Sequence, residues 1–210
     1  MRNKLGVDMA QRMAQPEQLL DEDRHRAQCY RLISRLLARA PEEDLLARLR
    51  ALEGGDGPIG AALGALAEAA KAATPETAAD EYLDLFIGVG RGELVPFGSY
   101  YLTGFLHEKP LARLRQDMAQ HGVARAEGVS EPEDHIASLC DMMAGLILGE
   151  FGAPLPLAEQ SAFFDRHVRS WAARFFEDLE SARSARFYKP VGAFGRAFME
   201  IETAAFEMAV

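Results

Sequence analysis

Apolar residues recur three and four positions apart along nearly the whole of this 210-residue chain, and no segment alternates apolar with polar. A period near 3.6 lays such residues along one face of a helix, whereas a half-buried strand needs a period of two. Tyr30, Ile33, Leu36 and Leu37 mark a helix over 17–40, which Pro41 ends, because the residue before a proline is driven out of the helical region. A shorter helix over 42–52 has the acidic first turn that the helix dipole favours, and the glycine-rich stretch 54–58 is a turn. The alanine-rich stretch 59–73 is helical. Thr74 then caps a new helix with Pro75 in its first position, where a missing N–H is no loss. Tyr82, Leu85 and Phe86 form its apolar stripe, and Gly88 stops it.

Residues 88–98 read as irregular, 99–106 as a short helix or turn, and 108–120 as a helix closed by His121 and Gly122. After Pro154 and Pro156 a single long helix is expected over 157–181, with Phe163, Phe164, Val168, Trp171, Phe175 and Leu179 on a wide apolar face. A last helix over 190–208 turns Phe194, Phe198, Ile201 and Phe206 inward. The pattern predicts an all-α chain: a mobile tail over 1–16, then one helical bundle over 17–210, or two loosely divided halves with a hinge near 121–130.

The most densely signalled stretch is Ser130, Glu131, Pro132, Glu133, Asp134, His135, Ile136. Ser130 with Glu133 three residues later has capping-box spacing, and Pro132 suits a first turn. A helix is therefore expected to begin at Ser130, with Ile136, Leu139, Met143 and Ile147 on its apolar face and Asp134 and His135 presented near its N-terminus.

Lysine and arginine number 23 against 32 aspartate and glutamate, a net charge of −9, which argues against nonspecific nucleic-acid binding. Cys29 and Cys140 read as reduced, mostly buried thiols. No basic-then-apolar leader opens the sequence, and the longest uncharged run, 94–107, is interrupted by Pro96, Gly98 and Gly104 and too short to span a bilayer. A cytoplasmic protein that is not membrane-embedded is expected.

Gly88, Gly90 and Gly92 superficially suggest a phosphate loop, but no strand precedes them and no Gly-Lys-Ser/Thr ending follows. No pair of histidines has metal-ligand spacing, and Asp134 and His135, as neighbours on a helix, face different ways, so neither metal nor cofactor is expected. A helical hydrolase centred on His135 is an alternative that would need an oriented nucleophile, with Ser99 and Ser138 as the candidates. A helical scaffold or regulator is the other alternative. The segment 95–102 crowds Phe97, Tyr100 and Tyr101 beside Pro96 and Gly98, either as a loop pinned to the core or as the wall of a peptide groove.

Three segments together resemble the TorD/DmsD family of redox-enzyme maturation chaperones, related to the NarJ type. They are Glu81-Tyr82-x-x-Leu85-Phe86-x-Gly88; Pro96-Phe97-Gly98-Ser99-x-Tyr101-Leu102; and Glu131-Pro132-Glu133-Asp134-His135. The resemblance implies an all-helical chaperone, not an enzyme. Such a chaperone binds the twin-arginine signal peptide of a molybdopterin-containing oxidoreductase and assists cofactor insertion and folding before export. It implies a client of the dimethyl sulfoxide or trimethylamine oxide reductase or formate dehydrogenase type; the two-part helical plan with its hinge leaves a monomer and a homodimer both open. It also implies a peptide groove between the 96–101 loop and the start of the following helix, formed by Pro96, Phe97, Gly98, Ser99, Tyr101, Glu131, Pro132, Asp134 and His135, with Tyr82 and Phe86 lining it. Phe97 and Tyr101 stand where the family often has tryptophan. Carboxylates such as Asp134 and Glu131 could accept charge-assisted hydrogen bonds from arginine, provided that they outweigh the positive end of the helix.

Overall fold

Helices begin and end mostly where proline, glycine and short polar side chains put them. The computed structural model describes residues 20–125 and 131–208, and among these it contains ten α-helices and no strand. They are α1 (Asp21–Ala38), α2 (Glu43–Arg50), α3 (Gly57–Ala72), α4 (Pro75–Tyr82), α5 (Gly98–Thr103), α6 (Lys109–Gln120), α7 (Ile136–Leu148), α8 (Leu157–His167), α9 (Ala172–Ser181) and α10 (Tyr188–Met208). A π-helical turn, Leu83–Ile87, continues α4. The tail expected over 1–16 and the 126–130 part of the expected hinge lie outside the described residues.

Thr74 caps α4 as its sequence requires: its hydroxyl accepts the Thr77 N–H at 3.3 Å, and the Thr77 hydroxyl accepts the Thr74 N–H at 2.9 Å. Three boundaries or faces depart from expectation. The helix expected from Ser130 begins at Ile136 instead; Ser130 itself lies outside the described residues. Glu133 pairs with Arg115 at 2.9 Å, and His135 is the N-cap, its Nδ1 accepting the Ala137 N–H at 3.1 Å.

The expected long helix over 157–181 is two helices. The chain leaves helical geometry at Val168 (φ −122°, ψ −54°) and at Trp171 (φ −144°, ψ −27°), with neither proline nor glycine there. The Trp171 indole N–H donates to the His167 carbonyl at 2.7 Å and so satisfies a group that the break would strand. In α10, Ile201 is 46% exposed, and its neighbour Glu202 points inward at 1%. Buried charge is tolerated there because Arg26 of α1 clasps the Glu202 carboxylate with two bonds, 2.8 and 2.9 Å, and the Tyr30 hydroxyl adds a third at 3.0 Å.

The core is one continuous cluster running from Ala27 to Phe206. Its centre is α7, where ten of the thirteen residues are buried, as expected of a helix whose sequence is apolar almost all round. Helix α1 lies along α7, and α10 packs against α9 and α3. Phe163, Phe164, Phe175, Phe176 and Phe194 are fully buried, each stabilising the fold by about 1.5–3 kcal/mol relative to exposure. No helix among the described residues is long and apolar enough to cross a membrane.

Candidate functional site

A helix start leaves N–H groups without intrahelical partners, and two of the three motif segments solve this problem for each other. The segment before α5 and the segment before α7 run antiparallel, meeting at Phe97 and His135. The Pro96 carbonyl accepts the Ile136 N–H at 2.9 Å, at the start of α7. In return the Asp134 carbonyl accepts the Gly98 N–H at 2.9 Å, and its carboxylate Oδ2 accepts the Ser99 N–H at 2.7 Å, at the start of α5. The Phe97 and His135 rings meet edge to face, 5.0 Å between centroids. The fit is close here: a Cβ at Gly98 would lie 3.1–3.3 Å from the Trp171 indole, which would have to give by a few tenths of an ångström.

This zipped geometry revises the expected groove. The 96–101 and 131–135 segments are in direct contact, so no peptide passes between them. Asp134 is 3% exposed and His135 4%, both held in the backbone network. Asp134 Oδ1 has no partner among the described residues, and Asp134 lines a cavity of about 10 Å³ together with Leu114, His167 and Trp171. Burial pushes the His135 imidazole down to about 4. Its neutral ring accepts a backbone N–H, and no hydroxyl among the described residues is hydrogen-bonded to it, so the arrangement lacks a hydrolase's activated nucleophile. Among the described residues, no group of three His, Cys, Asp or Glu side chains is placed to hold a metal ion.

The first motif segment joins the same face. Backbone bonds from Glu93 N–H to the Asp84 carbonyl (3.1 Å) and from Leu94 N–H to the Leu85 carbonyl (2.8 Å) tie the π turn to the strand-like approach to Pro96. Tyr82, Phe86 and Tyr188 form an aromatic triangle with centroids 5.0–6.0 Å apart, and the Tyr82 hydroxyl donates to the Leu37 carbonyl at 3.2 Å. Burial, and then the negative charge of Glu131, push the Tyr82 phenol up to about 12. Tyr101 is anchored from α9, its hydroxyl donating to Asp178 at 2.8 Å and its ring 5.4 Å from Trp171.

Of the candidate residues, Pro96, Gly98, Ser99, Asp134 and His135 are buried scaffold. Tyr82, Phe86, Phe97, Tyr101 and Pro132 are half-buried, and Glu131 is exposed. What solvent can reach is therefore the Glu131 carboxylate and parts of Tyr82, Phe86, Phe97, Tyr101 and Pro132.

Two glutamates that the site reading passed over do structural work on this face. The Glu81 carboxylate accepts the N–H groups of Arg186 (2.7 Å), Phe187 (3.0 Å) and Tyr188 (2.8 Å), capping α10 from another helix. Glu93 accepts those of Arg183 (2.7 Å) and Ser184 (3.1 Å) in the same connection. Glu81 stands inside the first motif, so the motif held the signal, but nothing local says that its partner lies a hundred residues away.

Residues 53–177, which include all three segments, match the family model described as nitrate reductase delta subunit. Over 132 residues the chain is 33% identical to the chaperone protein TorD of Vibrio cholerae (strain O395), an alignment covering 60% of this chain and 60% of the relative. It is 27% identical over 131 residues to the TorD chaperone of Vibrio atlanticus, covering 59% and 61%. The match thus spans about three fifths of the length of these relatives. Among solved structures, a protein of Archaeoglobus fulgidus described as a redox enzyme maturation protein superposes with a TM-score of 0.57 at 23% identity, over 83% of this chain and 93% of the other. That likeness bears on the fold: the helical arrangement is shared.

Proposed function

Since this chain belongs to the nitrate reductase delta subunit family, as the resemblance read from its three motifs anticipated, we propose that it is a cytoplasmic, non-enzymatic chaperone for a molybdenum oxidoreductase precursor. It binds the precursor's twin-arginine signal peptide and holds the client until the molybdopterin cofactor is inserted, before export. The observation that carries this reading is the convergence of three distant motif segments: two cap each other's helices, and the first is tied to the approach to Pro96 by the Glu93 and Leu94 amides. Buried Asp134, His135, Pro96, Gly98 and Ser99 fix the backbone, while Glu131 and the edges of Tyr82, Phe86, Phe97, Tyr101 and Pro132 are left accessible.

A twin-arginine peptide is a pair of guanidinium groups followed by an apolar run. Carboxylates accept charge-assisted bonds from the former, and half-buried aromatics offer rigid contact area to the latter. In this account Asp134 and His135 shape the surface from beneath rather than touching the arginines. Calorimetric titration with a synthetic twin-arginine signal peptide tests the reading: saturable binding that fails when both arginines become glutamine supports it, and no binding of any such peptide rejects it.

A further inference from the structure

If Asp134 is committed to the Ser99 amide, the peptide's arginines need other carboxylates. One turn of helix away from the aromatic triangle, α4 and the π turn border a cleft of about 530 Å³. Its floor is apolar, made by Ala69, Ala72, Ala73 and Phe187, and its lining carries three carboxylates, Asp80, Glu81 and Asp84, against one guanidinium, Arg186. Glu81 is occupied by the α10 amides. Asp80 and Asp84 are exposed, and their side chains make no hydrogen bond or ion pair with any described residue. Beside them on the same stretch, Leu83 is 49% and Ile87 51% exposed.

We propose that this cleft reads the arginine pair of the signal peptide: Asp80 and Asp84 take the two guanidinium groups, and Leu83 and Ile87 receive the start of the apolar run. The inference rests on the signal-peptide reading above and adds to it the residues that recognise the arginines. Three properties of the cleft select this occupant. The carboxylates lie four residues apart and line one cavity, so two long arginine side chains can converge on them. The apolar floor suits arginine stems and the weakly hydrated guanidinium plane. Exposed Leu83 and Ile87 follow Asp80 and Asp84 by three residues each, so each acid has an apolar neighbour one helical turn on, where a ligand that is both cationic and apolar finds contact. Arg186 opposes binding and makes the cleft selective for ligands that carry more than one positive charge.

The test is calorimetry on the full chain with the twin-arginine peptide and its double-glutamine version, using wild type and Asp80→Asn/Asp84→Asn. Both aspartates are exposed and unbonded, so the urea midpoint should not move. The proposal expects the double variant to bind the twin-arginine peptide roughly tenfold or more weakly, with a shallower salt dependence. The glutamine peptide should bind both proteins equally poorly. Arg186→Gln should tighten binding severalfold. Should the double variant match wild type in affinity and salt slope while wild type binds the peptide, the cleft assignment is overturned and the signal-peptide reading stands. Should wild type ignore the peptide, that reading fails and the cleft falls with it.

Discussion

Asp134 starts a helix to which it does not belong. Its carboxylate accepts the buried Ser99 N–H at 2.7 Å, and its own carbonyl takes Gly98. Asp134→Ala leaves the Ser99 amide without a partner and should cost about 1–3 kcal/mol in urea unfolding, with Asp134→Asn, which keeps an acceptor oxygen, costing less. His135 carries a pH dependence whose sign follows from its burial. The ring is held at about 4 against an ordinary 6.5, so the fold prefers it neutral. That contribution is complete above pH 6.5 and is lost as pH falls from 6.5 toward 4, about 3 kcal/mol in all. Asparagine at the same N-cap can accept the Ala137 amide but cannot titrate. The urea midpoint of wild type should therefore fall more steeply between pH 7 and 4.5 than that of His135→Asn, and parallel curves would remove His135 from the account. At this scale the sequence singled out Asp134 and His135 as candidate peptide contacts, and the structure places both in the backbone network between two helix starts. The sequence could not say that they are buried, because burial is decided by Pro96 and Phe97, some forty residues away.

Among the helices, the long-range caps are what set position. Glu81 of α4 holds three N–H groups at the start of α10, and Glu93 holds two in the preceding connection. Replacing Glu81 by alanine strands those amides and should lower stability by about 2 kcal/mol. Hydrogen exchange should show the Phe187 and Tyr188 amides exchanging faster, while amides in α7 keep their relative protection; unchanged exchange at Phe187 and Tyr188 would refute the cap. Helix starts with local chemistry were legible. Thr74 and Pro75 placed α4 because cap and first turn are adjacent in sequence. The start of α7 was misplaced by six residues because its first N–H is satisfied by Pro96, not by anything near Ser130. The division of α8 from α9 left no glycine or proline to read; a tryptophan side chain replaces the lost backbone bond. The inward face of α10 shifted from Ile201 to Glu202 because Arg26 and Tyr30 supply a partner that periodicity cannot see.

For the molecule as a whole, the all-helical class follows from periodicity alone, since a chain with no alternating segment has no sheet to build. The continuous core from Ala27 to Phe206 joins the elements on which the three motifs sit, so the motif face rests on packed helices rather than on a loose loop. The same packing brings the 96–99 and 134–136 backbones into contact, so the proposed peptide contacts are the accessible groups around them, Glu131, the aromatic edges and the neighbouring acidic cleft. The central claim is that this face receives a twin-arginine signal peptide. The most direct measurement is calorimetric titration of the folded chain with the signal peptide of a molybdenum oxidoreductase precursor, alongside the same peptide with both arginines replaced by glutamine. The account predicts saturable binding of the first and its loss with the second. Absence of binding to any twin-arginine peptide, or equal affinity for both versions, would contradict it.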